Sequence, residues 1–105
     1  MLLRGLGFVL KQEVEPGDWK VVQAGSRFLS EAETRYATME LEMLAIAWAC
    51  KKCSNFIEGS KFQILTDHKP LIPMLRDYSL NDFENKRLQR LILKINHLNF
   101  EVEEE

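Results

Sequence analysis

The chain has 105 residues, 46% of them hydrophobic and 29% charged, with a formal net charge of −2. These numbers describe one small globular domain, residues 1–105, with a core that is feasible but not generous. They exclude a molecule that is polycationic overall, so any nucleic-acid contact needs a local basic patch. No apolar run approaches the roughly 20 residues that span a bilayer. Residues 1–4, Met-Leu-Leu-Arg, lack the long apolar core of a signal peptide, and the expected location is intracellular, cytoplasmic or nuclear.

Residues 5–11 read as a strand, with Leu6, Phe8, Val9 and Leu10 as its apolar, β-prone members. Glu15-Pro16-Gly17-Asp18 is turn chemistry, and residues 19–24 read as a second strand. The pair predicts an antiparallel hairpin with a loop somewhat longer than the tightest kind.

Ser30-Glu31-Ala32-Glu33 matches a capping box and predicts a long helix reaching about Ser54, with Gly59 beyond its end. Spacing at 100° per residue gives this helix two apolar faces. Tyr36, Met39, Met43, Ile46, Ala47 and Cys50 make a broad face, expected against a sheet. Leu41, Leu44 and Trp48 make a narrower one, expected against another helix. Glu42 is the misfit. Its helical neighbours are Ala45, Ile46 and Ala49, so it lies on the margin of the apolar face, away from Glu40 and Lys51. A carboxylate there is desolvated unless it has a partner. Either it reaches solvent or Arg35, or it points into a site with another carboxylate or a metal.

Cys50 and Cys53 form a Cys-x-x-Cys. A redox pair belongs at a helix N-terminus, whereas this one sits near a helix end, where the macrodipole disfavours a thiolate. Buried or half-buried thiols are the expectation, and two cysteines without a nearby histidine pair make a weak zinc site.

Residues 62–65, Phe-Gln-Ile-Leu, have the length and composition of a buried strand. Asp67 follows at once, and Pro70 blocks further pairing. The strand therefore carries a carboxylate at its C-terminal end, where ligands bind in open α/β sheets. The alternative is that Asp67 only starts a turn. Residues 70–76 predict a short helix, irregular at Pro73, and residues 77–82 a loop with Ser79, Asn81 and Asp82 as candidate caps. A second helix is predicted over residues 83–97. Leu88, Leu91, Ile92 and Ile95 share its apolar face, and Lys86, Arg87, Arg90, Lys94 and His97 the other. That basic stripe is either a solvated face or a track for phosphates. Phe100 and Val102 alternate with Glu101 and Glu103 in a final half-buried strand over residues 99–105.

Several signatures lie in this order: Gly5-Leu6-Gly7-Phe8-Val9-Leu10; Ser26-Arg27-Phe28-Leu29; Glu33 and Tyr36; Glu42-Met43-Leu44-Ala45-Ile46; Thr66-Asp67-His68-Lys69-Pro70-Leu71; and Arg87-Leu88 through Phe100-Glu101-Val102. Their order and spacing resemble the ribonuclease H domain that follows reverse transcriptase in the polyproteins of Ty3/gypsy-type LTR retrotransposons. The resemblance covers nearly the whole chain. It implies an α/β fold, a ribonuclease H-like mixed five-stranded sheet flanked by helices. It implies an endonuclease, a hydrolase that cuts the RNA strand of an RNA–DNA hybrid. Four carboxylates there hold two Mg²⁺ ions, with Mn²⁺ as an alternative, one ion activating water and the other stabilising the leaving oxygen.

Carried over by residue, Glu42 matches the helix glutamate and Asp67 the strand-end aspartate of that metal-binding, catalytic set. Ser26 and Arg27 match a segment with either a structural or a hybrid-contacting role. His68 matches the residue after the aspartate, behind the metal ligands or structural. Lys86, Arg87, Arg90 and Lys94 are the candidate phosphate contacts. The implied partners are an RNA–DNA hybrid and the polymerase domain of the parent polyprotein, with no membrane.

Two departures from the pattern bear on activity. The family's first metal-binding aspartate lies on a central strand just upstream of the Gly-Leu-Gly segment, where this chain has Met1-Leu2-Leu3-Arg4. Its fourth aspartate lies beyond the last strand, and no motif assigns Glu103, Glu104 or Glu105 to that place. The expectation is a fragment with its first, central strand largely missing, two open strand edges, and impaired catalysis. Another chain could complete the sheet, including by self-association. The competing reading is a non-catalytic nucleic-acid or protein-binding module on the same scaffold.

Overall fold

Pro16 and Gly17 close the first hairpin. Gly17 has φ +82°, a conformation that favours glycine, and Pro16 precedes it with its own φ set by the ring. In this computed structural model, which describes residues 5–76 and 85–105, β1 (Gly5–Glu15) pairs antiparallel with β2 (Asp18–Phe28), and Glu15 faces Asp18 across the turn. The loop is thus tighter, and both strands longer, than the sequence predicts. Apolar alternation stops at Leu10 because no core lies beyond it. The backbone ladder continues without one, through irregularities at Leu10/Lys11 and Glu13/Glu15.

Leu6, Phe8 and Leu10 turn to the inner face of β1. Phe8 lies over Gly25, its partner in the ladder. A Cβ at Gly25 would sit 2.6 Å from the Phe8 ring. The freed space lets the ring meet Trp48 edge-on at 5.3 Å.

The capping box at Ser30 forms. The Ser30 amide donates to Glu33 Oε1 at 2.8 Å, and the Glu33 amide donates to Ser30 Oγ at 3.2 Å. Yet it heads only a 3-10 turn, Glu33–Arg35, because Tyr36 and Ala37 are extended. Helix α1 (Thr38–Lys52) starts afresh, with the Ala37 amide donating to Glu40 Oε1 at 2.8 Å. A short α2 (Ser54–Ile57) follows, and Gly59 at φ +77° turns the chain into β3 (Phe62–Thr66). The single helix to about Ser54 is therefore three pieces. Glu33 satisfies the sequence rule for a helix start but is also held by Arg27, which draws it back toward β2.

Leu71–Arg76 forms α3, Lys86–Leu93 forms α4, and Phe100–Glu104 forms β4, parallel to β3. The α4 cap is Asn85, whose side chain accepts the Leu88 amide at 3.0 Å. The predicted caps Ser79, Asn81 and Asp82, and the predicted helix start at Phe83, lie outside the described residues. So do Met1, Leu2, Leu3 and Arg4.

Met43, Leu71, Leu88, Ile92 and Ile95 are the largest fully buried side chains, and Val102 of β4 joins them. Burying each contributes about 1.5–3 kcal/mol. This core ties α1, α3, α4 and β4 together. Trp48, expected against a helix, instead faces Phe8 of β1 and carries the Arg27 guanidinium over its ring at 5.3 Å.

The five-stranded sheet does not form among the described residues. Four strands make two separate two-stranded sheets, β1–β2 and β3–β4. Both line one groove with α1.

Candidate functional site

β3 delivers Asp67. Phe62 and Ile64 turn inward, Thr66 is buried, and the chain leaves the sheet at once. The Thr66 hydroxyl accepts the His68 amide at 3.1 Å, which shapes the turn that leaves Asp67 exposed. The amides of Leu71 and Ile72 then donate to the carbonyls of His68 and Lys69 and start α3. His68 itself is half-buried, and among the described residues its Nε2 has no hydrogen-bond partner.

α1 delivers Glu42. It is half-buried in the second turn, beside Ala45, Ile46 and Ala49. Among the described residues no partner is placed on it, and Arg35 is turned to Glu31 at 3.6 Å instead. Glu42 and Asp67 line the same groove, a cavity of about 280 Å³ walled by β1 and β3. Glu105 reaches the same end, its amide donating to the Thr66 carbonyl at 3.0 Å.

Carboxylates suit a hard divalent cation. Among the described residues, however, no group of three His, Cys, Asp or Glu side chains is placed to hold a metal ion. Two carboxylates leave most of an octahedral shell to other groups. The described residues therefore do not form a complete Mg²⁺ or Mn²⁺ centre by themselves.

The basic candidates divide. Lys86 and Arg90 are exposed on α4, and Lys94 is exposed at its C-cap. Arg87 is turned inward. Its Nη1 lies 3.3 Å from both carboxylate oxygens of Glu40, and its guanidinium stacks 4.1 Å from the centre of the Tyr36 ring. Ser26 is exposed near the end of β2. Arg27 makes a bidentate pair with Glu33 at 2.7 and 2.9 Å. That pairing holds the Glu33 carboxyl down at about 2, raises the Arg27 pKa, and fixes the arginine over Trp48. Lys94 borders a second groove, between α1 and α4, together with Arg27 and Lys51.

Glu40 is the residue that sequence reasoning missed. Grouped with Lys51 on the polar side, it is instead buried, at 7% exposure. The Ala37 amide, first among several partners, holds its carboxyl below the usual range. The available signal was a glutamate three residues after Ala37, legible only once the helix start is moved to Thr38. Cys50 and Cys53 are free and buried, as expected, and burial pushes the Cys50 thiol up to about 11. Such thiols are inert at neutral pH.

Two sheets of mixed direction flanked by helices, with a helix glutamate and a strand-end aspartate sharing one groove, are consistent with the ribonuclease H-like class of fold. Residues 3–98 match the family described as the RNase H-like domain found in reverse transcriptase, and the chain belongs to that family. It is 44% identical over 78 residues to the Retrovirus-related Pol polyprotein from transposon gypsy of Drosophila melanogaster, covering 73% of this chain and 7% of that polyprotein. It is 35% identical over 99 residues to the Transposon Tf2-3 and Tf2-4 polyproteins of Schizosaccharomyces pombe, covering 92% of this chain and 7% of each. The chain thus spans about 7% of the length of these curated relatives and is an RNase H-like domain of LTR-retrotransposon polyprotein type. The family implies use of a divalent metal in general. No helix among the described residues is long and apolar enough to cross a membrane.

Proposed function

We propose that this domain engages an RNA–DNA hybrid and supplies Glu42 and Asp67 as two of the metal-binding carboxylates for hydrolysis of the RNA strand, with catalysis impaired when the chain is alone. The observation that carries the proposal is the convergence of Glu42, from the second turn of α1, and Asp67, from the end of β3, on one groove. They come from elements far apart in sequence, and Glu42 has no partner among the described residues, although a lone half-buried carboxylate is unfavourable. Two carboxylates do not by themselves complete the shells of two octahedral ions, which supports the reading of impaired catalysis.

Lys86, Arg90 and Lys94 contact the hybrid's phosphates on this reading, and groove shape with 2′-OH contacts separates hybrid from DNA duplex. His68, the residue after Asp67, takes a supporting or structural role on this reading. In the parent polyprotein the polymerase domain delivers the hybrid.

The test is cleavage of a labelled RNA–DNA hybrid by the purified, folded chain with Mg²⁺ or Mn²⁺, beside Asp67→Asn and Glu42→Gln. Slow metal-dependent cleavage that either substitution abolishes supports the reading. Cleavage that survives both substitutions overturns it. A second reading, a hybrid-binding scaffold without chemistry, is favoured by the absence of a three-ligand group among the described residues. It predicts salt-sensitive hybrid binding and no cleavage in either metal.

A further inference from the structure

Near their starts, α1 and α4 are joined by Glu40 and Arg87; further along, a second groove opens between them. It holds about 510 Å³, more than the groove that Glu42 and Asp67 line. Its α1 bank is Leu44, Ala47, Trp48 and Lys51. Its α4 bank is Leu91, Lys94, Ile95 and Leu98. Both banks have the spacing i, i+3, i+4, i+7, which is one face of a helix. Beyond Leu93 the turns keep that face together, because the amides of Lys94, Ile95 and Leu98 donate to the carbonyls of Leu91, Ile92 and Ile95 at 3.3, 3.1 and 2.9 Å.

The groove is apolar below and charged at its rim. Ala47, Leu91 and Ile95 are buried, while Leu44, Trp48 and Leu98 are half-buried and keep apolar surface open to an occupant. Of the charged groups, Arg27 is bidentate on Glu33, and Glu58 lies 3.9 Å from His97 Nε2. Lys51 and Lys94 are exposed, one on each bank, and neither is in an ion pair among the described residues. An anion is therefore wanted on both sides of the apolar floor.

We infer that this groove docks one amphipathic helix of a partner protein, with an apolar stripe flanked on both sides by acidic residues. Two facing helical faces form the kind of trough that a third helix fills with anchors at i, i+3, i+4 and i+7. The small side chain of Ala47 lets the incoming backbone come close. From Leu44 to Lys51 the bank is about 10 Å long, so about two turns of the guest helix rest on it. Packed helices stand roughly 8–10 Å apart, so acids on both flanks of a guest reach both lysines, whereas one small anionic head serves one bank. A phosphate backbone would meet Glu33, Glu58 and an apolar floor, which suits it poorly. The inference uses neither Glu42 nor Asp67, so it and the hydrolytic reading fail separately.

The test is titration of the purified chain with a synthetic peptide of about 16 residues, long enough to form a helix on binding. The peptide carries leucine and alanine at i, i+3, i+4 and i+7, with glutamates on both flanks of that stripe. The chain carries Trp19→Phe, so that Trp48 is its remaining tryptophan. Saturable binding that shifts Trp48 emission and raises helical circular dichroism is the expected result. Lys51 is exposed, so Lys51→Glu leaves the fold intact and weakens binding about tenfold at low salt. A peptide with lysines on one flank, made for each flank in turn, regains about threefold or more on Lys51→Glu for one of the two. Equal binding of a scrambled peptide, equal binding by Lys51→Glu and the parent, or no binding at about 1 mM peptide overturns the inference. Displacement of the peptide by decanoate also overturns it and assigns the groove to a small amphiphile. Displacement by an RNA–DNA hybrid in EDTA overturns it in favour of nucleic acid.

Discussion

Arg87 of α4 and Glu40 of α1 form the contact that locks the two principal helices together, with Nη1 3.3 Å from each carboxylate oxygen. Tyr36 lies under the same guanidinium, and the Glu40 carboxylate also accepts the Ala37 amide. One buried acid thus stabilises a helix start, a stacked arginine and a helix–helix junction. The planar guanidinium serves both the ring and the carboxylate, which an ammonium cannot do.

Arg87→Ala leaves Glu40 buried without its cation. It destabilises the fold by about 1–2 kcal/mol in urea unfolding, because Glu40 keeps the Ala37 amide but loses its charged partner. Arg87→Lys recovers less than half of that loss. A change below about 0.5 kcal/mol for Arg87→Ala would remove the structural role given to this pair.

Arg90→Glu acts on binding instead. Arg90 is exposed on the same helix, so the substitution changes stability by no more than about 0.5 kcal/mol. Hybrid affinity at low salt falls several-fold, and the slope of binding against salt becomes shallower. Unchanged affinity would take α4 out of the hybrid interface.

Acid weakens the Arg27–Glu33 clamp in a defined window. The folded Glu33 carboxyl titrates at about 2, below its unfolded value of about 4.3. The clamp's contribution is therefore full above the unfolded value and is lost as pH falls from there toward 2, on the order of 2 kcal/mol in total. Glu33→Gln flattens the stability profile in that window, measured by urea unfolding at stepped pH. An unaltered acid slope would contradict the assignment.

Gly25→Ala tests the seat of Phe8. The new Cβ would lie 2.6 Å from the ring, so the ring must leave Trp48 or the hairpin must shift. The expected loss is about 1–3 kcal/mol, with a red-shifted Trp48 fluorescence. Gly17→Ala is also destabilising, but through backbone strain at φ +82°, and it leaves Trp48 fluorescence unchanged.

Local chemistry in the sequence was enough to locate the hairpin turn at Pro16 and Gly17, the strand 62–65, the apolar face of α4 and two carboxylates, Glu42 and Asp67, that line one groove. Turn residues, apolar spacing and an acid on the margin of an apolar face act over a few positions, and neighbours in sequence express them.

Other features depended on partners distant in the chain. Glu33 made its capping box, but Arg27 holds it, and the long helix begins only at Thr38. Trp48 lies at helical spacing from Leu41 and Leu44, but its neighbours are Phe8 and Arg27. Glu40 looked like a solvated acid until α4 brought Arg87 against it. Periodicity reports which side of a helix is apolar. Which residue across the chain meets that side, and therefore which charge is buried, is decided by packing in three dimensions.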